Sequence, residues 1–195
     1  LFLCDHHLSH MKAENIDNKH NLLLEVLLAA KYEGKSLGKK YDEYKERHTD
    51  LPSDICTILA RSFADIGDII RGKDLFIGYN EKDKEEKKQL QENLKNIFAK
   101  IHSEVTKTNG EAAKDYYQDR TGNYYKLRED WWYANRQEVW KALTCSEQLK
   151  GNKYFRATCG GDNESPSMAR DKCRCGDRDV TIVPTYFDYV PQYLR

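Results

Sequence analysis

In the stretch Ala60-Arg-Ser-Phe-Ala-Asp-Ile-Gly-Asp-Ile-Ile-Arg-Gly-Lys-Asp-Leu75, apolar residues return with the period of a helix, not that of a strand. Carried upstream, the set Ile55, Ile58, Leu59, Phe63, Ile66, Ile69 and Ile70 predicts a helix over 53–71. Pro52-Ser53 supplies the stop and cap, and Gly72 is placed to end it, because glycine enters the left-handed conformation without strain. Gly67 costs about 1 kcal/mol in mid-helix, which predicts the close approach of another helix. Asp65 and Asp68 share a face at i, i+3, and with Asp74 they raise paired-carboxylate catalysis or a hard-cation site. Arg61 and Arg71, at salt-bridge spacing, favour a polar, ion-paired face instead.

Working outward, residues 19–46 read as a helix capped by Asp17 or Asn18, with a kink expected around Gly34–Gly38. A further helix spans 84–107, with Asp83 and Glu86 as a capping-box-like pair and Leu90, Leu94, Ile97, Phe98, Ile101 and Val105 on one face. Asn109-Gly110 breaks the chain before a short helix over 111–119. The last long helix, 124–143, carries Trp131, Trp132 and Trp140. Beside Arg128, Glu129 and Asp130 these raise an aromatic sugar platform, but their apolar neighbours favour core packing. Residues 144–183 show no sustained period, and Pro184 onward reads as the entry to another helix. With no convincing alternating strand, the fold class is mainly α.

The 195 residues are 39% hydrophobic and 33% charged, which suits a globular protein with a modest core. Thirty-two basic and thirty-two acidic side chains cancel, so no global field draws the chain to nucleic acid, and any polyanion site must be a local patch. The longest apolar run, Leu22 to Ala30, is interrupted by Glu25 and falls short of the ~20 residues a membrane span needs. The chain opens on Leu1-Phe-Leu-Cys4 without a start methionine, as a fragment would; any anchor is expected outside it.

Six cysteines, Cys4, Cys56, Cys145, Cys159, Cys173 and Cys175, make an even set, four of them in a loop with little apolar surface. That pattern favours disulfide staples and an oxidising, extracellular setting. Zinc usually takes Cys-x2-Cys pairs, which are absent. His6, His7 and His10 lack the acidic partner of a metalloprotease motif and read as surface residues. No nucleophile elbow, phosphate-cradling loop or dinucleotide fingerprint occurs, so neither an enzyme nor a cofactor is expected.

Two basic clusters stand out. Lys35, Lys39, Lys40, Lys45 and Arg47 face only Asp42, Glu43 and Glu46, which makes them candidates for binding a sulfated glycan. Lys82, Lys84, Lys87 and Lys88 are balanced by Glu81, Asp83, Glu85 and Glu86 and read as a solvated face.

The central stretch, the string Asn123-Tyr-Tyr-Lys-Leu-Arg-Glu-Asp-Trp-Trp132 and the string Pro184-Thr-Tyr-Phe-Asp-Tyr-Val-Pro191 occur in that order. With Leu24 to Gly34, ending Ala29-Ala-Lys-Tyr-Glu-Gly34, and the doublet Cys173-Arg-Cys175, they resemble the alpha class of Duffy-binding-like domains. Those domains belong to the var-encoded variant erythrocyte membrane proteins of the malaria parasite Plasmodium falciparum. The resemblance runs from about Cys4 to Arg195. It implies a disulfide-stapled helical fold: the remainder of an irregular first subdomain with the first helix over 1–50, and a helical-bundle second subdomain over 51–183. That second part includes the cysteine-rich loop 144–183, and a truncated third subdomain starts at 184–195. It also implies a host-cell adhesion module on the infected erythrocyte surface, a virulence antigen under antigenic variation and antibody selection. Partners would be red-cell or endothelial receptors, sulfated glycans such as heparan sulfate, and neighbouring domains of the same polypeptide, with rosetting or cytoadhesion as the outcome. The alternative is an antigenically variable structural module whose neighbours bind the receptor. Leu27 stands where the family often has cysteine, which leaves Cys4 to be assigned; Cys4–Cys56 is the expected bridge, with two more among the other four.

Overall fold

The computed structural model describes residues 8, 11, 14, 16, 18–48, 54–159, 167–176 and 182–195. Among the described residues four helices carry the fold: α1 (Lys19–Lys45), α2 (Ile55–Arg71), α3 (Glu81–Tyr116) and α4 (Tyr125–Leu143). The expected Cys4, His6, His7, His10, Asp17, Pro52 and Ser53 features lie outside the described residues.

α2 is the central element, with thirteen of its seventeen residues buried. A helix buried nearly all round must be apolar nearly all round, which is why its pattern was so readable. Its cap is Asp54, one residue beyond the expected Ser53: the carboxylate accepts from the Thr57 amide at 2.9 Å and the Thr57 hydroxyl at 2.7 Å. Gly72 closes the helix at φ +73°, with the Lys73 amide donating back to the Asp68 carbonyl.

α1 starts on Asn18, whose side chain accepts from the amides of His20 and Asn21. It runs unbroken to Lys45, so the expected kink at Gly34–Gly38 is corrected. Those glycines serve proximity. A Cβ on Gly34 would lie 1.8 Å from the Leu143 carbonyl oxygen, and one on Gly38 would lie 3.3 Å from the Gln148 side chain. Gly67 has the same use, since its Cβ would sit 2.8 Å from the Trp132 ring. A testable consequence concerns Gly34→Ala. Alanine gains roughly 1 kcal/mol of helix propensity, but the clash is with backbone and costs about 3 kcal/mol. The urea midpoint of the variant should therefore fall, by about 2 kcal/mol of stability.

α3 begins three residues before the expected Lys84. Asn80 accepts from the Asp83 amide at 2.8 Å, while the Asp83 carboxylate accepts from the Tyr79 amide at 3.3 Å. Gly110, at φ +69° and ψ −155°, breaks the helical path where Asn109-Gly110 predicted it, and one more stretch of helix runs to Tyr116. α4 matches its expected span to within one residue.

α1 packs along α4 and against α2, and α2 packs on α4, around a core that includes Val26, Ala30, Leu59, Phe63, Leu94, Phe98, Trp132 and Trp140. Trp131, Trp132 and Trp140 are all buried, as core packing required. Within the 144–183 loop the structure adds a strand pair that the sequence reading lacked, β1 (Ala157–Cys159) antiparallel to β2 (Ser167–Met168). Beyond Pro184 the expected helix is replaced by two single 3-10 turns, Phe187–Tyr189 and Gln192–Leu194. Pro191 lacks the amide that would join them.

Candidate functional site

The first basic cluster lies on and just past α1, and every member is exposed. At i, i+4 spacing Lys35 and Lys39 form one stripe, which the sequence reading left incomplete: Lys31, also exposed, extends it by another turn. Lys40 falls about 100° further round the helix than Lys39. Lys45 leans on Tyr41, its ammonium 5.7 Å from the ring centre. Lys39 is 3.8 Å from Glu43, a loose surface pair that leaves most of its field available. Three of the four lysines of the second cluster are paired locally, with Lys84 on Glu81 at 2.6 Å, Lys82 on Glu86 at 3.6 Å and Lys87 on Asp74 at 2.5 Å.

The carboxylates of the central stretch are tied into a polar clasp. Asp68 pairs with Arg71 at 3.0 Å and with Arg195, which also reaches Asp65 at 3.6 Å. Burial pushes the Asp68 carboxyl above its ordinary range, against the pull of Arg195 and Arg71. Arg71 also donates to the Gly67 carbonyl, to Glu129 and to the Asp188 carbonyl. The Asp188 side chain, 0% exposed, accepts two hydrogen bonds from Arg136, at 2.7 and 2.8 Å, and one from the Trp132 indole at 3.0 Å. Arg136 completes its fork on the Thr185 carbonyl. Asp74 accepts from the Phe76 amide and Gln192 as well as Lys87.

The remaining candidates for a sugar platform serve the scaffold too. Arg128 is buried and donates to the carbonyls of Ile70 and Ile69, capping α2. Burial lowers its pKa to about 10. Glu129 holds Arg71 and Lys73; burial works to raise its carboxyl, but those hydrogen bonds outweigh it and keep it low. Asp130 accepts from Tyr117, whose hydroxyl is pushed up to about 12 by burial and by that carboxylate.

Among the described residues two disulfides pin the loop. Cys56 bonds Cys173 and Cys159 bonds Cys175, while Cys145 is free and exposed. The expected Cys4–Cys56 bridge is thereby corrected, as is a bridged Cys145. Cys56 sits buried in the first turn of α2, beneath the loop, where the Trp140 indole holds the Cys173 carbonyl at 3.2 Å. Arg174 then caps the end of α4 through the Lys141 carbonyl and the Thr144 hydroxyl.

Strings and geometry converge on one family, and its model, described as the Duffy binding domain, matches residues 1–195. The chain belongs to the Duffy binding domain family. This Duffy binding domain is 40% identical to the N-terminal NTS-DBL1-alpha and CIDR-gamma double domain of PfEMP1 from the Plasmodium falciparum varO strain, with a TM-score of 0.72. The match covers 98% of this chain and 25% of that one. A PfEMP1 DBLβ domain solved bound to ICAM-1 is 30% identical at a TM-score of 0.64, over 96% of this chain and 39% of that one. The Duffy receptor beta form of Plasmodium knowlesi is 28% identical over 158 residues, 78% of this chain and 11% of the relative. The domain thus spans well under half of each of these relatives. No described helix is long and apolar enough to cross a membrane.

Proposed function

We propose that this domain is a host-cell adhesion module of a parasite surface antigen, and that the exposed lysine face of α1 contributes a sulfated-glycan contact. The family is one of binding domains, and relatives include a domain bound to human ICAM-1. The observation that carries the glycan contact is the exposed Lys31–Lys35–Lys39 stripe on a helix held against the end of α4 through Gly34. A rigid row of cations meets a polyanion without first being ordered, which spares affinity. The protein receptor would be a red-cell or endothelial surface molecule, with the chain facing outward from the infected cell.

Heparin binding by the intact chain, followed at rising salt, tests this reading. Neutralising Lys31, Lys35 and Lys39 together should weaken binding about a hundredfold, at the roughly 1 kcal/mol per cation seen at anionic surfaces. Salt should erode the wild-type affinity in the same direction. Undiminished binding by the triple variant would remove α1 from the reading and favour a structural module whose neighbours bind the receptor.

A further inference from the structure

Asn109-Gly110, the break within α3, is a motif that the adhesion reading does not use. Glycine follows no other asparagine in the chain. Gly110 stands at φ +69° and ψ −155°, off the helical path, and a Cβ there would meet nothing within 4 Å. That conformation is open to glycine and all but closed to residues that carry a Cβ. Residues 107–112 are all exposed, with Thr106 and Ala113 as the buried anchors on either side. The corner therefore stands clear of the core.

The Asn109 side chain is also unheld. Asn18 and Asn80 serve as caps, Asn93 donates to the Met11 carbonyl and Asn135 to the Trp131 carbonyl. Asn109 makes no side-chain hydrogen bond among the described residues. A free carboxamide can close on the next backbone nitrogen in a five-membered ring once two obstacles are gone. One is a side chain on the following residue, which crowds the attacking nitrogen; Gly110 has none. The other is the regular helix, which ties that nitrogen into its ladder. Here the first stretch of α3 ends at the break, and the last turn of a helix opens at low cost.

We propose that Asn109 is a site of spontaneous covalent modification, a carboxamide that the Gly110 backbone nitrogen converts into a carboxylate. The Gly110 nitrogen attacks Cγ of Asn109. The N–Cγ bond forms, the Cγ–Nδ2 bond breaks, and Nδ2 leaves as ammonia with the proton of the Gly110 amide. Water then opens the succinimide at either carbonyl, giving aspartate or, with the main chain rerouted through Cγ, isoaspartate. Nothing is oxidised or reduced, and water is the co-reactant. Acidic and basic side chains balance in this chain, so either product moves its formal net charge from zero to one unit negative. The isoaspartate form also lengthens the main chain by a methylene at the corner joining the two stretches of α3.

Trypsin releases residues 108–114 as one peptide with no second asparagine, so the site can be read after incubating the intact chain. In mildly alkaline buffer the folded chain should yield two new forms of this peptide, aspartate and isoaspartate, each heavier by about 1 Da. The change should outpace that in peptide 96–100, which carries Asn96 inside α3, by about tenfold or more. Equal rates, or an unaltered peptide 108–114, would overturn the proposal. A reduced, urea-unfolded chain supplies the structural comparison: folded and unfolded rates should agree within about tenfold, because the corner is already open. Reaction confined to the unfolded chain would be equally fatal, since the fold would then shut the site. Asn109→Gln needs a less favourable six-membered ring. It should keep the melting temperature within about 2 °C of wild type and abolish the new acidic band on isoelectric focusing. Asn109→Asp should co-migrate with that band. An acidic band that persists in Asn109→Gln would place the change elsewhere and sink the idea. Heparin binding enters none of these outcomes, so this proposal and the glycan reading fail separately.

Discussion

Asp188→Ala should destabilise the domain by about 3–5 kcal/mol, the usual cost of leaving a buried charge without its partner. The substitution removes a fully buried carboxylate and strands the Arg136 fork and the Trp132 indole at once. Against a total stability of roughly 5–15 kcal/mol, that is a large fraction, and the urea midpoint of the purified domain should drop accordingly. Asp188→Asn keeps the shape and one acceptor but loses the charge, so it should fall between alanine and wild type. Adding Arg136→Met to Asp188→Ala removes the stranded cation; the double variant should cost less than the sum of the two singles. A near-zero effect of Asp188→Ala would mean that the clasp adds nothing to the fold.

Replacing Cys56 and Cys173 together by alanine should cost about 5 kcal/mol. The bridge joins residues 117 apart, and in the chain-entropy account the stabilisation grows with the loop closed. Cys159 and Cys175 are only 16 apart, so removing that bridge should cost about 3 kcal/mol. Thermal unfolding of the two double variants, measured side by side, checks both the size and the order. If the short bridge proved the more costly, strain or loop packing, not chain entropy, would dominate.

The long helices were legible because burial leaves a periodic mark. α2, buried nearly all round, and α4, with its tryptophans, were placed to within two residues at each end. Among the central carboxylates the Asp68–Arg71 pair was legible, since Arg71 lies within one turn of Asp68, whereas the partner of Asp65 is the distant Arg195. What the sequence could not announce was long-range partnership. Nothing local says that Arg195 closes on Asp68, or that Cys56 waits for Cys173. The Gly34 error has the same origin. Flexibility and close approach call for the same residue, and only the position of Leu143 decides between them. Asn80 was passed over as a cap because the Asp83/Glu86 pair offered a better-known pattern; Asp83 does take part, but as the reciprocal acceptor. On α1 the stripe was signalled by Lys31, four residues before Lys35, though it was overlooked because Tyr32 and Glu33 interrupt the run.

The clasp has a consequence for how the domain comes into being. Residues 185–195 supply Asp188 and Arg195 to side chains more than fifty residues earlier, and Cys173 reaches back to Cys56. Contacts so remote along the chain are slow to form, and until they do the Arg136 guanidinium of α4 lacks its carboxylate and the Cys56 thiol of α2 its bridge. During synthesis the central helix must therefore wait, half-clothed, for a stretch that the ribosome releases long afterwards. That interval is when a chaperone or a thiol oxidase has most to gain by holding it.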